Sequence, residues 1–433
     1  MMISILALLV LLLPLALSSS IAIIGAGIGG TFTSKYLTEL LPPDDLCDTH
    51  IVIYEADTIG GRVRSQEILN FSNTVVELGA SIAYTGNKYI AEQALRNFYL
   101  KVPAEDDPSK TFGIFNGDSF SFMEAQWAFV PSFVSKLYNK ACLLYRYHWS
   151  LTGLTNLVKQ AVSSFEQIYK LQEEQQQAFT TPDELWNTVG LGNYTNISFS
   201  ELLSTHRLDE DVSPFQSELA AAVNRVNYNA PNHELSALAG LVSFVPMISG
   251  SLFAIDGGNQ LLAASALDDT LQAFESCPLT HPNHPHNPKG LLQFHKITQI
   301  IYHPNLTDGG KFSLYHRQRR PVTPVAQTSE AGPDGERGEE TAGEDPQEQE
   351  YEVVNVWLGD YDHVVLACPL QLAQIDFFIS PSLEPHHQGD PGKVRSLSLQ
   401  LTTDPTSKGT PCLPLVYIMI YTSCLSYIYI LIY

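Results

Sequence analysis

The sequence predicts an α/β fold, and three observations carry that prediction. Residues 21–30, IAIIGAGIGG, read as a buried strand entering a glycine-rich turn. Thr31 to Leu41 then places Phe32, Tyr36, Leu37 and Leu40 at helical spacing. His50 to Glu55 forms a second apolar strand, so strand, helix and strand follow one another as in a parallel sheet.

Gly25-x-Gly27-x-x-Gly30 sits where a strand opens into a helix, the context in which this pattern holds a dinucleotide. The first glycine permits the tight turn, the second lets backbone approach a pyrophosphate, and the third lets helix lie close on strand. Ala26 and Gly29 complete the turn, and the helix N-terminus favours the negative phosphates. Glu55 ends the second strand 25 residues past Gly30, where a carboxylate accepts hydrogen bonds from an adenosine ribose. A carboxylate at that point disfavours a 2'-phosphate and hence NADP. Gly60-Gly61-Arg62 supplies a second bare turn with a cation, placed for the same pyrophosphate. The strand of VELGAS follows, with Gly79 and Ser81 as candidate contacts beside the cofactor.

Composition narrows the function classes. Asp+Glu 46 against Lys+Arg 24 gives a net charge of -22, which repels nucleic acid and anionic membrane. Part of that charge is local, because residues 330–350 hold nine acids and one Arg. Six cysteines lack CxxC or metal spacing, so no disulfide framework is expected and no metal site is assigned. His281, His284 and His286 lie in a Pro-rich loop without an acid or Cys alongside, which reads as solvated. Residues 1–18 read as a signal peptide, with apolar Ile3 to Leu17 followed by Ser18. Sequons at Asn70, Asn193, Asn196 and Asn305 suit a glycosylated lumenal protein.

After the leader, a first segment of the dinucleotide domain is expected over 19–126 and a mainly helical substrate domain over 127–249. Residues 250–372 return to strands, with an acidic, disordered insert at 321–350. Within them GSLFAIDGGNQLL predicts strand, tight turn and helix start. Pro42-Pro43-Asp44-Asp45 is expected to break the first helix into a loop. The 373–433 tail ends in LPLVYIMIYTSCLSYIYILIY, which is long enough to span a bilayer yet β-like in composition. A translation running past the true coding sequence accounts for it equally, and these readings stay open.

EADTIGGRVRS resembles the flavin-dependent amine-oxidase-like group, in which an acid followed by GGR marks FAD. RVNYNAPNHELSALAGLVSF, GSLFAIDGGNQLL and YDHVVLACPLQL look like segments of the prenylcysteine oxidases and the related plant farnesylcysteine lyases. The resemblance runs from Ile21 to about Leu372, and family members continue beyond it. It implies a Rossmann-like FAD-binding domain with an interleaved α+β substrate domain. It implies, too, a lysosomal or secreted enzyme that uses dioxygen to cleave the thioether of S-farnesyl- or S-geranylgeranyl-cysteine. Free cysteine, a prenyl aldehyde and hydrogen peroxide would be the products. The long helices from Phe129 to Tyr169 would wall the prenyl groove or serve as core. Asn259 or Tyr228 would face the substrate by analogy, and no catalytic residue is assigned. Membrane contact is expected only through the apolar tail or the lipid-like substrate. An amine-type flavin oxidase and a decayed, flavin-less binding protein are the competing readings.

Overall fold

The computed structural model describes residues 19–68, 75–101, 113–115, 118–125, 127, 129–175, 177, 179, 181–208, 214–248, 252–278, 291–304, 311–321, 351–369, 373–380, 395–396 and 417–418. The expected leader, the sequons at Asn70 and Asn305, the three-histidine loop, nearly all of the acidic insert and most of the tail lie outside them. The described residues fall into two compact units. One draws on Met1–Gly25, Leu41–Thr58 and Phe274–Val416, the other on Ala26–Leu40, Ile59–Ala273 and Tyr417–Tyr433.

The first unit is built on a parallel sheet. Ser20–Ile24 pairs with His50–Glu55 on one side and His363–Leu366 on the other, and His50–Glu55 pairs onward with Leu292–Phe294. These strands are continuous apolar runs because both faces of a parallel sheet are covered, and Ala22, Ile23, Val52, Ile53 and Leu366 are all buried. A second sheet runs Tyr351–Tyr361, Lys311–Pro321, Ile297–His303, Asp376–Ile379 and Arg395–Ser396 in order of pairing. Its Ile300, Phe312, Leu314 and Tyr361 close one core with Ala22, Ile24, Val52 and Tyr54. The Tyr54 and Tyr361 hydroxyls meet at 2.6 Å inside that core, and burial raises both phenols above their ordinary pKa.

One local expectation for this unit needs correction, and one pairing that the sequence left open is seen. Pro42 to Asp45 ends the first helix but also starts another, Pro43–Asp48, with Pro at the first turn and Asp44 and Asp45 beside the positive helix end. Cys47, on that helix, forms a disulfide with Cys277 across a sequence separation of 230. Scattered cysteines gave no hint of the pairing, because connectivity follows from folding rather than spacing. Cys142 and Cys368 are free.

The second unit is mainly helical. Helix Ser150–Glu173 buries Leu154, Leu157, Val158, Ala161 and Ile168 at three- and four-residue spacing. Helix Ala237–Ile248 crosses close by Phe199, where a Cβ on Gly240 would strike the Phe199 ring, and Phe199 stacks on Phe244 at 6.0 Å. Ser198 caps helix Phe199–Thr205 by accepting the Glu201 amide at 3.1 Å, as an S-x-x-E sequence directs. A π-helical turn, Gln216–Ala220, presents Glu218 to Arg146, whose guanidinium donates twice, at 2.7 and 2.5 Å. Tyr147 Oη and Ser121 Oγ donate to the same carboxylate.

The helix that follows the glycine turn, Ile28–Leu40, is fixed by a buried polar cluster. Lys35 is 3% exposed, and its Nζ donates to Gln93 Oε1 at 2.8 Å with Asp269 at 3.6 Å and Glu39 at 3.4 Å. Gln93 passes the bond on to Asp269 at 2.8 Å and Ser265 at 3.0 Å, and Ser34 meets Thr270 at 2.9 Å. Paired in this way a buried ammonium is tolerable; stranded, it is not.

Two outcomes follow from these contacts. Cys47→Ser should remove a cross-link that closes a very long loop and cost about 2–5 kcal/mol, read as a lowered melting temperature that a reductant mimics in the parent protein. Arg146 holds the Glu218 carboxyl below its ordinary value, so its stabilisation is complete above the unfolded carboxylate pKa and fades as pH falls through the lower folded value. A melting-temperature profile between pH 6 and 3 should therefore be flatter for Glu218→Gln than for the parent.

Candidate functional site

In the first unit, strand Ser20–Ile24 delivers Gly25 with a φ of 108°, a conformation that favours glycine. Its amide donates to the Tyr54 carbonyl at 2.7 Å, and an added Cβ would lie 3.0 Å from the Ala367 carbonyl oxygen. Since Ile24 is in register with Tyr54, the next residue, Glu55, ends its strand level with this turn. Glu55 is half-buried, and its Oε1 accepts the Asp57 amide at 2.9 Å. Cys368 is close enough for the Glu55 charge to add to burial in pushing its thiol up to about 11.

In the second unit, the two glycine turns are bonded to each other. Gly60 donates its amide to the Ala26 carbonyl at 2.8 Å, and Gly27 and Gly60 form a parallel bridge. Gly60 and Gly61 have φ of 103° and 56°, and a Cβ on Gly60 would strike the Val63 carbonyl. Gly29 and Gly30 are buried in the first turn of Ile28–Leu40, which carries no acid to cancel its positive end. Arg62 and Ser81 are exposed. Gly79 is constrained by the chain itself, because a Cβ there would run into the Arg62 carbonyl.

The residues behind the second turn were only partly anticipated. Glu77 Oε2 accepts from Ser65 Oγ at 2.7 Å, and Glu77 Oε1 accepts the Asn259 amide at 2.8 Å. Asn259 is 3% exposed; its Oδ1 takes the Ile255 amide and its Nδ2 donates to the Ala80 carbonyl. Gln260 donates to the Ile59 carbonyl at 2.8 Å and accepts from the Ser65 amide at 3.0 Å. Hence the GGNQ turn clamps the loop that carries Gly60 to Arg62. Asn259, expected at the substrate, uses both side-chain polar atoms on backbone, and Tyr228 lies half-buried at the end of helix Ala221–Tyr228.

Two neighbouring cavities open in this same unit. One is lined by Ile28, Val63, Ala80, Ile82, Asn259 and Leu262 among others, beside the start of the glycine-turn helix. The other is an open apolar groove, its wall drawn from Ala161, Val162, Phe165, Trp186, Leu241 and Val242 together with neighbours on the same helices. Tyr84 and Asn87 line both. Burial, and secondarily the Glu166 carboxylate at the groove wall, raise the Tyr84 phenol above its usual value. Neither Tyr84 nor Asn87 stood out in sequence. Among the described residues there is no cluster of His, Cys, Asp or Glu able to hold a metal ion.

The strand, the glycine turn and the helix after it define a dinucleotide-binding domain, and residues 23–99 match the NAD(P)-binding Rossmann-like domain family. Residues 132–274 match the prenylcysteine lyase family. Prenylcysteine oxidase 1 of Bos taurus is 27% identical over 254 residues, covering 59% of this chain and 46% of that protein. The Homo sapiens protein of the same name is 28% identical over 247 residues, covering 57% and 45%. Farnesylcysteine lyase of Arabidopsis thaliana is 27% identical over 257 residues, covering 58% and 49%. The chain is thus a relative of the prenylcysteine oxidases and farnesylcysteine lyases, and it spans about half the length of those it matches. Cyclohexylamine oxidase from Brevibacterium oxydans IH-35A aligns with a TM-score of 0.40 and 15% identity, covering 83% of this chain and 60% of that one, a likeness too loose to carry an argument.

An adenine dinucleotide fits the residues present. In the second unit the turns at Gly27 and Gly60 are bare backbone, and a Cβ at Gly60 would be strained and obstructed; in the first unit a Cβ at Gly25 would be strained, and Glu55, expected to accept from a ribose, ends its strand level with it. Gly60→Val should therefore lose FAD in equilibrium dialysis and also melt earlier, since forcing a branched residue to that φ costs about 1–3 kcal/mol. Glu55→Gln should keep its melting temperature while FAD retention falls roughly tenfold, the loss of a charged hydrogen bond.

Proposed function

We propose that this chain binds FAD and oxidises the thioether of S-farnesyl- or S-geranylgeranyl-cysteine, releasing cysteine and a prenyl aldehyde. One observation carries the reading beyond the similarities: an apolar groove shares Tyr84 and Asn87 with a cavity that begins at Ile28, the first residue of the glycine-turn helix. A lipid-like chain and a reacting carbon can therefore be held in adjoining spaces of one unit. The proposed setting is the secretory pathway or lysosome, with dioxygen as co-substrate.

The groove wall supplies binding without directional chemistry. Each methylene taken from water gains about 0.8 kcal/mol, so a chain of several isoprene units is retained on apolar contact alone. Held at the glycine turns of Gly27 and Gly60, a flavin would supply a two-electron acceptor for the hydride on the allylic carbon attached to sulfur, with dioxygen as the final acceptor and hydrogen peroxide as the product. Sulfur and the adjacent alkene stabilise the carbocation left behind, so the protein needs no strong base. Its task is to aim one C–H bond and to keep water out until transfer is complete. Water then adds to that carbon, and collapse of the hemithioacetal expels the cysteine thiol and leaves the aldehyde. Tyr84, whose phenol burial raises above its usual value, and Asn87 line both spaces, where that carbon would rest.

Purified protein should show flavin absorbance and release peroxide with S-farnesylcysteine. Peroxide with simple amines and none with the thioether would overturn the reading, as would a folded protein that takes up no flavin. Val242→Trp, which fills the groove wall, should raise KM for S-farnesylcysteine at least tenfold with a smaller change in kcat, measured by initial rates.

A further inference from the structure

We propose that Glu166 selects the head group of the substrate, pairing with the ammonium of S-prenylcysteine and disfavouring thioethers whose head group carries no positive charge; the assignment rests on the thioether reading of the groove. The lining of that groove is almost wholly apolar, and among the described residues that form it Glu166 alone carries a charge. Pockets of this kind take affinity from their apolar walls and orientation from a few placed polar groups. Glu166 directly follows Phe165 on helix Ser150–Glu173 and is exposed to solvent at the groove edge. The cations nearest to it along the chain and at the junction do not occupy it. Lys88, beside Asn87, is engaged by Glu173 at 2.6 Å, and Lys170, one turn along the helix from Glu166, is no part of the lining.

The carboxylate stands where the reacting carbon would rest. Burial raises the Tyr84 phenol, and the Glu166 charge raises it further. The same charge reaches Tyr169, where burial is again the larger cause, and the Tyr169 hydroxyl accepts the amide of Lys88, the residue after Asn87, at 3.3 Å. Gly86 makes room for Tyr84 at this point, since a Cβ on it would strike the phenol ring. Glu166 is therefore grouped with Tyr84 and Asn87, the two residues shared with the cavity beside the glycine-turn helix. In S-prenylcysteine only a short Cβ–Cα link separates sulfur from the amino group, so ammonium and reacting carbon can be held together here. An ion pair in open water contributes little. A prenyl chain laid along the wall displaces water from around the carboxylate, and its pull on a cation grows as that water leaves. A neutral or anionic head group leaves the carboxylate without a partner in the same place, so discrimination comes from both sides.

Binding can be read without turnover, because Trp186 lies in the groove wall and its emission should respond to a bound chain. The full chain is titrated with S-farnesylcysteine, with its N-acetyl derivative and with S-farnesyl mercaptopropionate, which lacks the amino group. The parent should bind the free amino acid about tenfold more tightly than either analogue, as a charge-assisted hydrogen bond provides. Glu166→Gln, with an unchanged circular dichroism spectrum, should lose most of that preference by weakening the amino acid and leaving the analogues as they were; Glu166→Asp should keep part of it. In turnover the change should appear in KM for S-farnesylcysteine, with kcat little altered. Glu166→Gln that binds S-farnesylcysteine as tightly as the parent would overturn the proposal. So would an equal loss for all three ligands, which would give the carboxylate a part in the shape of the groove or a part at the reacting carbon. A parent that discriminates through Glu166 yet releases no peroxide would overturn the redox reading and leave the head-group assignment standing, whereas a parent that binds none of the three would overturn both.

Discussion

The site depends on one arrangement of backbone, the pairing of two glycine turns through the Gly60 amide and the Ala26 carbonyl. Nothing but backbone is available at that point, so the pairing needs φ values that other residues resist and space that a Cβ would take. Backbone so placed must be held from outside. The Lys35, Gln93 and Asp269 cluster holds the helix after the first turn, and Glu77, Asn259 and Gln260 hold the loop that carries the second. The polar residues around the site are therefore mostly scaffold. A glycine turn can approach a phosphate closely only if other side chains, set further back, keep it from relaxing.

How much of this was legible in sequence depends on whether the cause was local. Residues 21–24 and 50–55 were readable because strands buried on both faces must be apolar without interruption. The two glycine turns were readable because the constraint and the residue that meets it coincide. The disulfide of Cys47 with Cys277 was not, since its two halves lie 230 residues apart and only the fold brings them together. Pro43 to Asp48 was half readable: proline and two aspartates end one helix and suit the start of another, and composition alone does not choose. Asn259 was legible only in part: it lines the cavity beside the glycine-turn helix, but its side chain also ties backbone together.

The apolar stripe of helix Ser150–Glu173 shows a different limit. Leu154, Leu157 and Val158 are buried in the core, while Val162 and Phe165, on the same helix and at similar spacing, pack against that core only in part and also line the groove. Ala161 does both. Periodicity reports which side of a helix leaves water, and a lipid-binding wall leaves water just as a core does. The distinction lies in whether opposing helices close the space, and here Trp186 and Val242 stop short of doing so.

Net charge misleads for the same reason that periodicity does, because it sums over positions that never act together. The acidic excess of 22 includes residues 330–350, with nine acids and one Arg, whereas residues 125–165 contain no acid at all. At physiological ionic strength a charge is felt over roughly 8 Å, so an approaching surface responds to the face it meets and hardly to the total. Helix Ser132–Tyr147 adds to this an orientation that its own composition would not choose, with Ser135 and Asn139 inside and Phe133 and Leu137 outside. Hydrogen bonds from Asn139 to Ala125 and the ion pair of Arg146 with Glu218 fix that orientation. The apolar face is thus exposed by the polar contacts that secure the helix, and swapping the inner residues for leucine would remove the reason for the present rotation before it improved the core.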